Sequence, residues 1–172
     1  LKLNFIALDG FSFSIPRIFD PTNFKYDIVK RNESKDKVEL IQNVFNYFKL
    51  HGSLMWEKKD NDIYKKEIVP KPLIIYPREN KYEISFEQPF LELMSRFQNS
   101  IKEENTAFFV TGFGFNDDHL SQPIISALST NLNFKLVYAT WNVNYTNPYV
   151  KKMHESIKNG DNRIIILDCN FN

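Results

Sequence analysis

The amino-acid sequence predicts an α/β fold built on a Rossmann-like, doubly wound parallel sheet. Between residues 106 and 167, apolar strand patterns alternate with helix patterns, an order typical of parallel strands joined by right-handed helical crossovers. The 172 residues are about one domain's worth of chain. With 42% apolar and 25% charged residues, the composition is that of an ordinary globular domain. We therefore expect a single domain.

The N-terminal part predicts an irregular region inserted before the regular elements. Asp9-Gly10 indicates a turn, and the charged residues 30–37 are typical of a solvated loop. Residues 44–50 are aromatic and β-branched and predict a strand. Residues 54–56 predict a second short strand, and the charged residues 57–71 predict an excursion over the surface.

Regular elements are predicted from residue 73 onward. Ser85 and Gln88 have the spacing of a capping box, which predicts a helix from Ser85 with Pro89 in its first turn. Short apolar runs predict strands over residues 73–76, 106–111, 134–139 and 163–167.

Two further helices are predicted between these strands. The first begins near Ser121, after a turn over residues 117–120, because Pro123 disfavours an earlier helical start. The second is delimited by Asn147-Pro148, in the preferred order of cap and proline, and by Asn159-Gly160.

Composition limits the classes of partner and site. The net charge of +1 gives no reason to expect a nucleic-acid or anionic-membrane partner. The single cysteine, Cys169, excludes an intrachain disulfide and a cysteine-based zinc ribbon, and we expect it to be a buried, inert thiol. His119 and His154 have no partners at metal-ligand spacing, so no metal site is predicted. The sequence has no apolar run long enough for a membrane span and no signal-peptide pattern, which indicates a cytoplasmic location.

The first candidate site lies in Gly112-Phe113-Gly114, directly after a predicted strand. Glycines at this place let a phosphate or ribose approach the backbone closely, and ligands of open α/β sheets bind beyond the carboxyl ends of the strands. The third glycine of a dinucleotide fingerprint is absent, and Asp117 stands there instead. A plain glycine turn, with Asn116 or Asp117 capping a helix, explains the same residues.

The second candidate site is His51-Gly52-Ser53. A histidine that follows an apolar strand and precedes a glycine can be presented into a cleft as a general base near neutral pH. A structural histidine with satisfied hydrogen bonds is the alternative interpretation.

Three stretches together resemble the SIR2-like (sirtuin-related) domains of bacterial antiphage defence proteins. Residues 48–56 (FKLHGSLMW) are similar to the family's K-L-H-G-S-hydrophobic-x-W segment, and residues 112–120 (GFGFNDDHL) to its G-[YF]-S-F-x-D-x-H-[IL] segment. The residues that resemble the region after the family's T-x-N-Y-D element are 8–11 (LDGF), Arg17, 19–21 (FDP) and Phe24.

The resemblance implies that the complete protein hydrolyses NAD+ to nicotinamide and ADP-ribose as the effector of an antiphage (abortive infection) response. His51 then corresponds to the catalytic histidine. Gly112, Phe113, Gly114 and Asp117 correspond to residues that bind NAD, which is a substrate here, and no metal is implied. The absence of the zinc-binding cysteines of protein-deacylating sirtuins favours hydrolysis over deacylation.

The resemblance also implies limits and alternatives. It covers residues 1–172 as one SIR2-like domain that lacks the family's N-terminal glycine-rich turn and its T-x-N-x-D element, so we expect this chain alone to be inactive. Gly114 replaces the more usual serine, and the start at Leu1 indicates a fragment. A module that binds NAD or ADP-ribose without turnover and a zinc-free NAD-dependent deacylase remain open. A homo-oligomer is expected, with a sensor domain, an ATPase or an Argonaute-type protein as possible partners.

Overall fold

The computed structural model describes residues 5–32, 34, 36–76 and 87–168. The chain divides into two compact units, Leu1–Ser95 and Arg96–Asn172. Each unit has its own apolar core. Leu8, Phe11, Phe24 and Trp56 are buried in the first, and the second is centred on the buried Phe134 and Leu136 with their neighbours. The assignment of the whole chain to a single domain stays a prediction.

The first unit is made of short strands that pair two by two within the described residues. The elements are β1 (Ile6–Leu8), a 3-10 helix (Pro21–Lys25), β2 (Val29–Asn32), β3 (Lys37–Leu40), β4 (Val44–Asn46), β5 (Gly52–Ser53), β6 (Trp56–Lys59), β7 (Asp62–Lys65) and β8 (Leu73–Ile74). Strand β1 pairs in parallel with β4, with Ile6 opposite Val44. The pairs β2–β3, β5–β8 and β6–β7 are antiparallel.

Two charged stretches contribute to antiparallel strand pairs. Residues 30–37 were expected to form a solvated loop, but residues 30–32 and Lys37 belong to the antiparallel pair β2–β3. The predicted surface excursion over residues 57–71 contains most of the hairpin β6–β7, whose turn includes Asp60 in the left-handed region (φ 55°). The strand predicted over 44–50 ends at Asn46. The strand predicted over 54–56 is replaced by β5 and β6, which lie on either side of Leu54 and Met55.

The second unit contains the parallel sheet, in the order β11-β10-β9. Leu136 of β10 lies opposite Phe108 of β9 and Ile164 of β11. The chain is therefore a mixed α/β protein with a small parallel sheet, as predicted at that level. The remaining elements of the chain are α1 (Phe90–Ser100), β9 (Ala107–Thr111), α2 (Asp118–Thr130), β10 (Lys135–Thr140), α3 (Pro148–Lys158) and β11 (Ile164–Asp168).

Only one face of this sheet is covered in the part of the chain that the structure describes. On the covered face, Leu136 and Tyr138 pack with apolar side chains of α2 and α3 in the core of the second unit. On the other face, Phe109 and Ile165 flank Val137 in register. The side chain of Phe109 is 72% exposed and that of Ile165 is 49% exposed.

The starts of the helices differ in part from the predictions. Helix α2 begins at Asp118, three residues before the predicted Ser121. The amides of Leu120 and Ser121 donate hydrogen bonds to the carbonyl of Asp117. Pro123 takes no part in these bonds and therefore does not prevent the earlier start. Pro89 precedes α1 and is not part of its first turn, while Ser85 and Phe86 lie outside the described residues, as does Cys169. The predicted cap of α3 by Asn147 is confirmed. No helix in the described ranges is both long enough and apolar enough to cross a bilayer.

Candidate functional site

The segment from Gly112 to Asp117, called the glycine loop below, joins the carboxyl end of β9 to the start of α2. Gly112 has a φ of 66°, and a Cβ atom added there would meet no described atom within 4 Å. At Gly114 the added Cβ would lie 2.9 Å from the amide nitrogen of the Asn116 side chain. The backbone at Gly112 is therefore accessible on the side that a Cβ atom would occupy.

Phe115 anchors the glycine loop in the core of the second unit. Its side chain is 1% exposed, and its ring lies 5.0 Å from that of Phe113 and packs edge-on against that of Tyr138, also at 5.0 Å. Its backbone is left-handed, with a φ of 55°, which is strained for a bulky side chain. Packing of the ring thus holds the loop in a conformation that the isolated backbone disfavours.

Asn147 connects the glycine loop to helix α3. Its Oδ1 accepts hydrogen bonds from the amides of Tyr149 (2.9 Å) and Val150 (3.3 Å), which caps the helix. Its Nδ2 donates to the carbonyl of Phe115 at 3.0 Å, with longer contacts to the carbonyl of Gly114 and to Oδ1 of Asn116. The sequence predicted the cap but not the second role, which joins residues more than thirty positions apart.

Asp117 is the N-cap of α2. Its carboxylate accepts a hydrogen bond of 3.2 Å from the amide of His119, so the capping role foreseen as the plain alternative is real. The neighbouring Asp118 accepts a hydrogen bond of 2.8 Å from the hydroxyl of Tyr149 on α3. The first turns of α2 and α3 are therefore tied together beside the glycine loop.

The end of β11 completes this edge of the sheet. Asp168 accepts a hydrogen bond of 2.9 Å from the amide of Asn142, in the loop that follows β10. Trp141 in the same loop is 66% exposed. The loops after β9 and β10 and the end of β11 thus meet at what we call the carboxyl edge, where the positive ends of two helix dipoles also lie.

His51 lies in the first unit, in the turn between β4 and β5, and its side chain is exposed. Its carbonyl accepts a hydrogen bond of 3.0 Å from the amide of Ile75. Gly52 has a φ of 85°, and a Cβ added there would lie 2.2 Å from the carbonyl oxygen of Leu73. Strand pairing alone therefore requires this glycine, whatever chemistry the histidine performs.

Two polar contacts support this part of the first unit. Lys49 donates a hydrogen bond of 3.0 Å to the buried Ser53 hydroxyl. Asp9, buried directly after β1, forms ion pairs with Lys65 and with Arg17, the latter at 3.5 Å. The partners of Asp9 come from separate parts of the chain, so the sequence offered no signal for this cluster.

The structure brings Gly112, Phe113, Gly114 and Asp117 together at one edge of the sheet, and His51 belongs to the other unit. Among the described residues, no group of three or more His, Cys, Asp and Glu side chains is arranged to hold a metal ion. No protein-family model matches the chain, and a comparison with curated proteins finds no match.

Proposed function

We propose that the complete protein hydrolyses NAD+ to nicotinamide and ADP-ribose, as the effector of an antiphage response. The observation that carries this proposal is the glycine loop at the carboxyl edge of a parallel sheet, beside the first turns of α2 and α3. Dinucleotides bind at this kind of place, where glycines admit the pyrophosphate and helix dipoles favour its charge. The resemblance of residues 48–56 and 112–120 to SIR2-like domains supports the same activity.

The glycine loop and its neighbours supply the binding side of the proposal. The open backbone of Gly112 receives the phosphates or ribose, with Gly114 and the ring of Phe113 beside it. Asp117 acts by holding the first turn of α2, since its carboxylate caps the helix. In this proposal Asp117 has two roles: it stabilises the end of the glycine loop by capping α2, and it contacts NAD, as the resemblance implies.

The chemistry requires one bond to break and one to form. The bond between the nicotinamide nitrogen and ribose C1′ breaks, and its electron pair leaves with nicotinamide as a neutral molecule. Water then adds to the oxocarbenium-like ribose at C1′ and gives its proton to a base, which yields ADP-ribose. We assign His51 as that base, because imidazole accepts a proton near neutral pH.

The finer fold assignment belongs to this proposal as well. Parallel sheets are found with both faces covered, and the face that carries Phe109 and Ile165 is exposed. We take the three-stranded sheet to be part of a larger, Rossmann-like doubly wound sheet within one SIR2-like domain. A cytoplasmic homo-oligomer, working with a sensor domain, an ATPase or an Argonaute-type protein, completes the proposal.

A second function, binding of NAD or ADP-ribose without turnover, is favoured by one observation. His51 is exposed, whereas a closed site that keeps out bulk water strengthens the electrostatic stabilisation of the oxocarbenium-like ribose. The glycine loop serves binding equally well in both functions.

The deciding experiment separates the products formed from NAD by the complete protein. Nicotinamide and ADP-ribose from NAD alone support the hydrolase. Saturable binding without products supports the binding module, and an acyl-ADP-ribose formed only with an acylated peptide would indicate a deacylase.

A further inference from the structure

The side chain of Asn147, at the carboxyl edge, forms hydrogen bonds through both the oxygen and the nitrogen of its carboxamide. The Asn147 carboxamide is buried, with the residue 8% exposed. Its oxygen satisfies two amides at the start of α3, while its nitrogen reaches across to the glycine loop and donates to the carbonyl of Phe115. Helix capping needs only the oxygen. The nitrogen therefore has a separate role.

The contact made by that nitrogen falls on the strained residue of the loop. Phe115 has left-handed backbone, a state that costs on the order of 1–3 kcal/mol and persists only when its surroundings enforce it. Its ring is held by packing against Tyr138, and its carbonyl is held by Asn147 at 3.0 Å. One restraint acts on the side chain of Phe115 and the other on its backbone.

We infer that Asn147 is a positioning residue that sets the conformation of the glycine loop for its nucleotide ligand. Through the carbonyls of Phe115 and Gly114 it fixes the direction of the backbone between Gly112 and Asn116, and it does so from the first turn of the neighbouring helix. The identity of the ligand rests on the proposed function, whereas the effect on the loop does not.

Aspartate at this position separates the two roles of the side chain. Asn147→Asp keeps an oxygen that caps α3 as well as asparagine does, and its negative charge suits the helix N-terminus. The same change replaces the Nδ2 donor by a carboxylate oxygen that faces two carbonyl oxygens of the loop. The hydrogen bond is therefore replaced by electrostatic repulsion between oxygen atoms. Asn147→Ser is a second variant, since serine is a good cap whose short side chain does not span the distance to the loop.

A matched control lies in the same connection between β10 and α3. Within the described residues, the Asn144 side chain forms hydrogen bonds through its oxygen, which accepts from the amide and the hydroxyl of Thr146. Asn144→Asp retains that acceptor and adds the same charge three residues away. An effect of charge alone appears in both aspartate variants, whereas loss of the donor appears only in Asn147→Asp.

The test is amide hydrogen exchange on the full chain, together with NAD binding by the complete protein. In Asn147→Asp and Asn147→Ser we expect faster exchange over residues 112–116 and unchanged or slower exchange in the first turn of α3. The Kd for NAD should rise about tenfold, the equivalent of about one lost hydrogen bond. Asn144→Asp should match the wild type in both measurements.

Two results would overturn the inference. The first is exchange of the glycine loop at the wild-type rate in Asn147→Asp. The second is a general loss of structure, seen either as simultaneous loss of protection in the loop and α3 or as failure of both variants to fold. The second result would leave Asn147 as a structural cap only. If the wild-type protein binds no NAD, the proposed function fails by itself. The exchange of residues 112–116 still decides the role of Asn147.

Discussion

Gly52 and Gly160 both have a positive φ angle but lie in different surroundings. Their φ angles are 85° and 93°. A Cβ at Gly52 would lie 2.2 Å from the carbonyl oxygen of Leu73, whereas a Cβ at Gly160 would meet no described atom within 4 Å. Comparison of the two glycines separates the cost of placing a side chain on left-handed backbone from the cost of displacing a paired strand.

We expect Gly160→Ala to lower the free energy of unfolding by about 1–2 kcal/mol, the usual cost of left-handed backbone for a non-glycine residue. Gly52→Ala should cost clearly more, because β5 and β8 must also move apart. Urea denaturation of both variants measures the difference. Equal losses would show that the contact with Leu73 relaxes without cost.

Individual residues also show what the sequence could indicate about the site. The position of Gly112 after a strand is a local signal, and the open backbone found there agrees with it. The roles of Asp9 and of the Asn147 nitrogen depend on partners from distant parts of the chain, which no local pattern encodes. Asp117 is intermediate, since its capping role is local and was foreseen as one of two interpretations.

At the scale of elements, the parallel sheet was predictable and the hairpins were not. Strands β9 to β11 are flanked by helices with recognisable caps, so their order and type could be predicted from residue 106 onward. The four residues of β3 are all exposed, and a strand without a buried face shows no alternation of apolar and polar residues. The strand β3 forms because it pairs with β2, and the residue pattern of a single segment does not predict which strands pair.

One ion pair ties the turn before β11 to the end of α2. Arg163 makes two side-chain hydrogen bonds to Asp161, at 2.9 and 2.6 Å, and donates a third to the carbonyl of Asn131 at 3.1 Å. The hydrogen bonds from Arg163 lower the pKa of the Asp161 carboxyl. An aspartate in an unfolded chain has a pKa of about 3.9, so the stabilisation is fully present above that pH and is lost as the pH falls through the lower, folded value.

We therefore expect Asp161→Asn to be less stable than the wild type at neutral pH, and the difference to shrink in the acid range below about pH 4. Denaturation curves recorded from pH 7 to pH 2 measure it. In an Arg163→Gln background the pH dependence of the difference should shrink, because the guanidinium donors are gone, while the backbone amide of residue 163 still donates to Asp161 at 3.0 Å. A difference that stays constant with pH in the wild-type background would contradict this role of the pair.

At the scale of the whole molecule, the exposed face of the parallel sheet is the largest departure from an ordinary α/β protein. Phe109, Ile165 and Leu167 are exposed on the same face of the sheet, and an apolar patch of this kind marks a surface that is usually covered. The sequence predicted the strands but not this exposure, since a strand buried on one face and a strand buried on both have similar short apolar patterns.

We expect this chain alone to bind an anionic hydrophobic dye such as ANS through that face. Phe109→Glu should lower the dye fluorescence, because it removes an apolar ring from the patch and places there a negative charge that repels the anionic dye. Leu132→Glu is the control, since Leu132 is 79% exposed in the turn between α2 and β10. Equal fluorescence of the Phe109→Glu variant and the wild type would contradict an accessible apolar face.

The most direct test of the central proposal measures NAD consumption by the complete protein, with wild type, His51→Ala and His154→Ala side by side and products separated by chromatography. We expect nicotinamide and ADP-ribose from the wild type and from His154→Ala, and a loss of about 10²–10⁴-fold in His51→Ala, the usual contribution of one general base. Turnover by His51→Ala at the wild-type rate would contradict the assigned base, and intact NAD with the wild type would contradict the hydrolase itself.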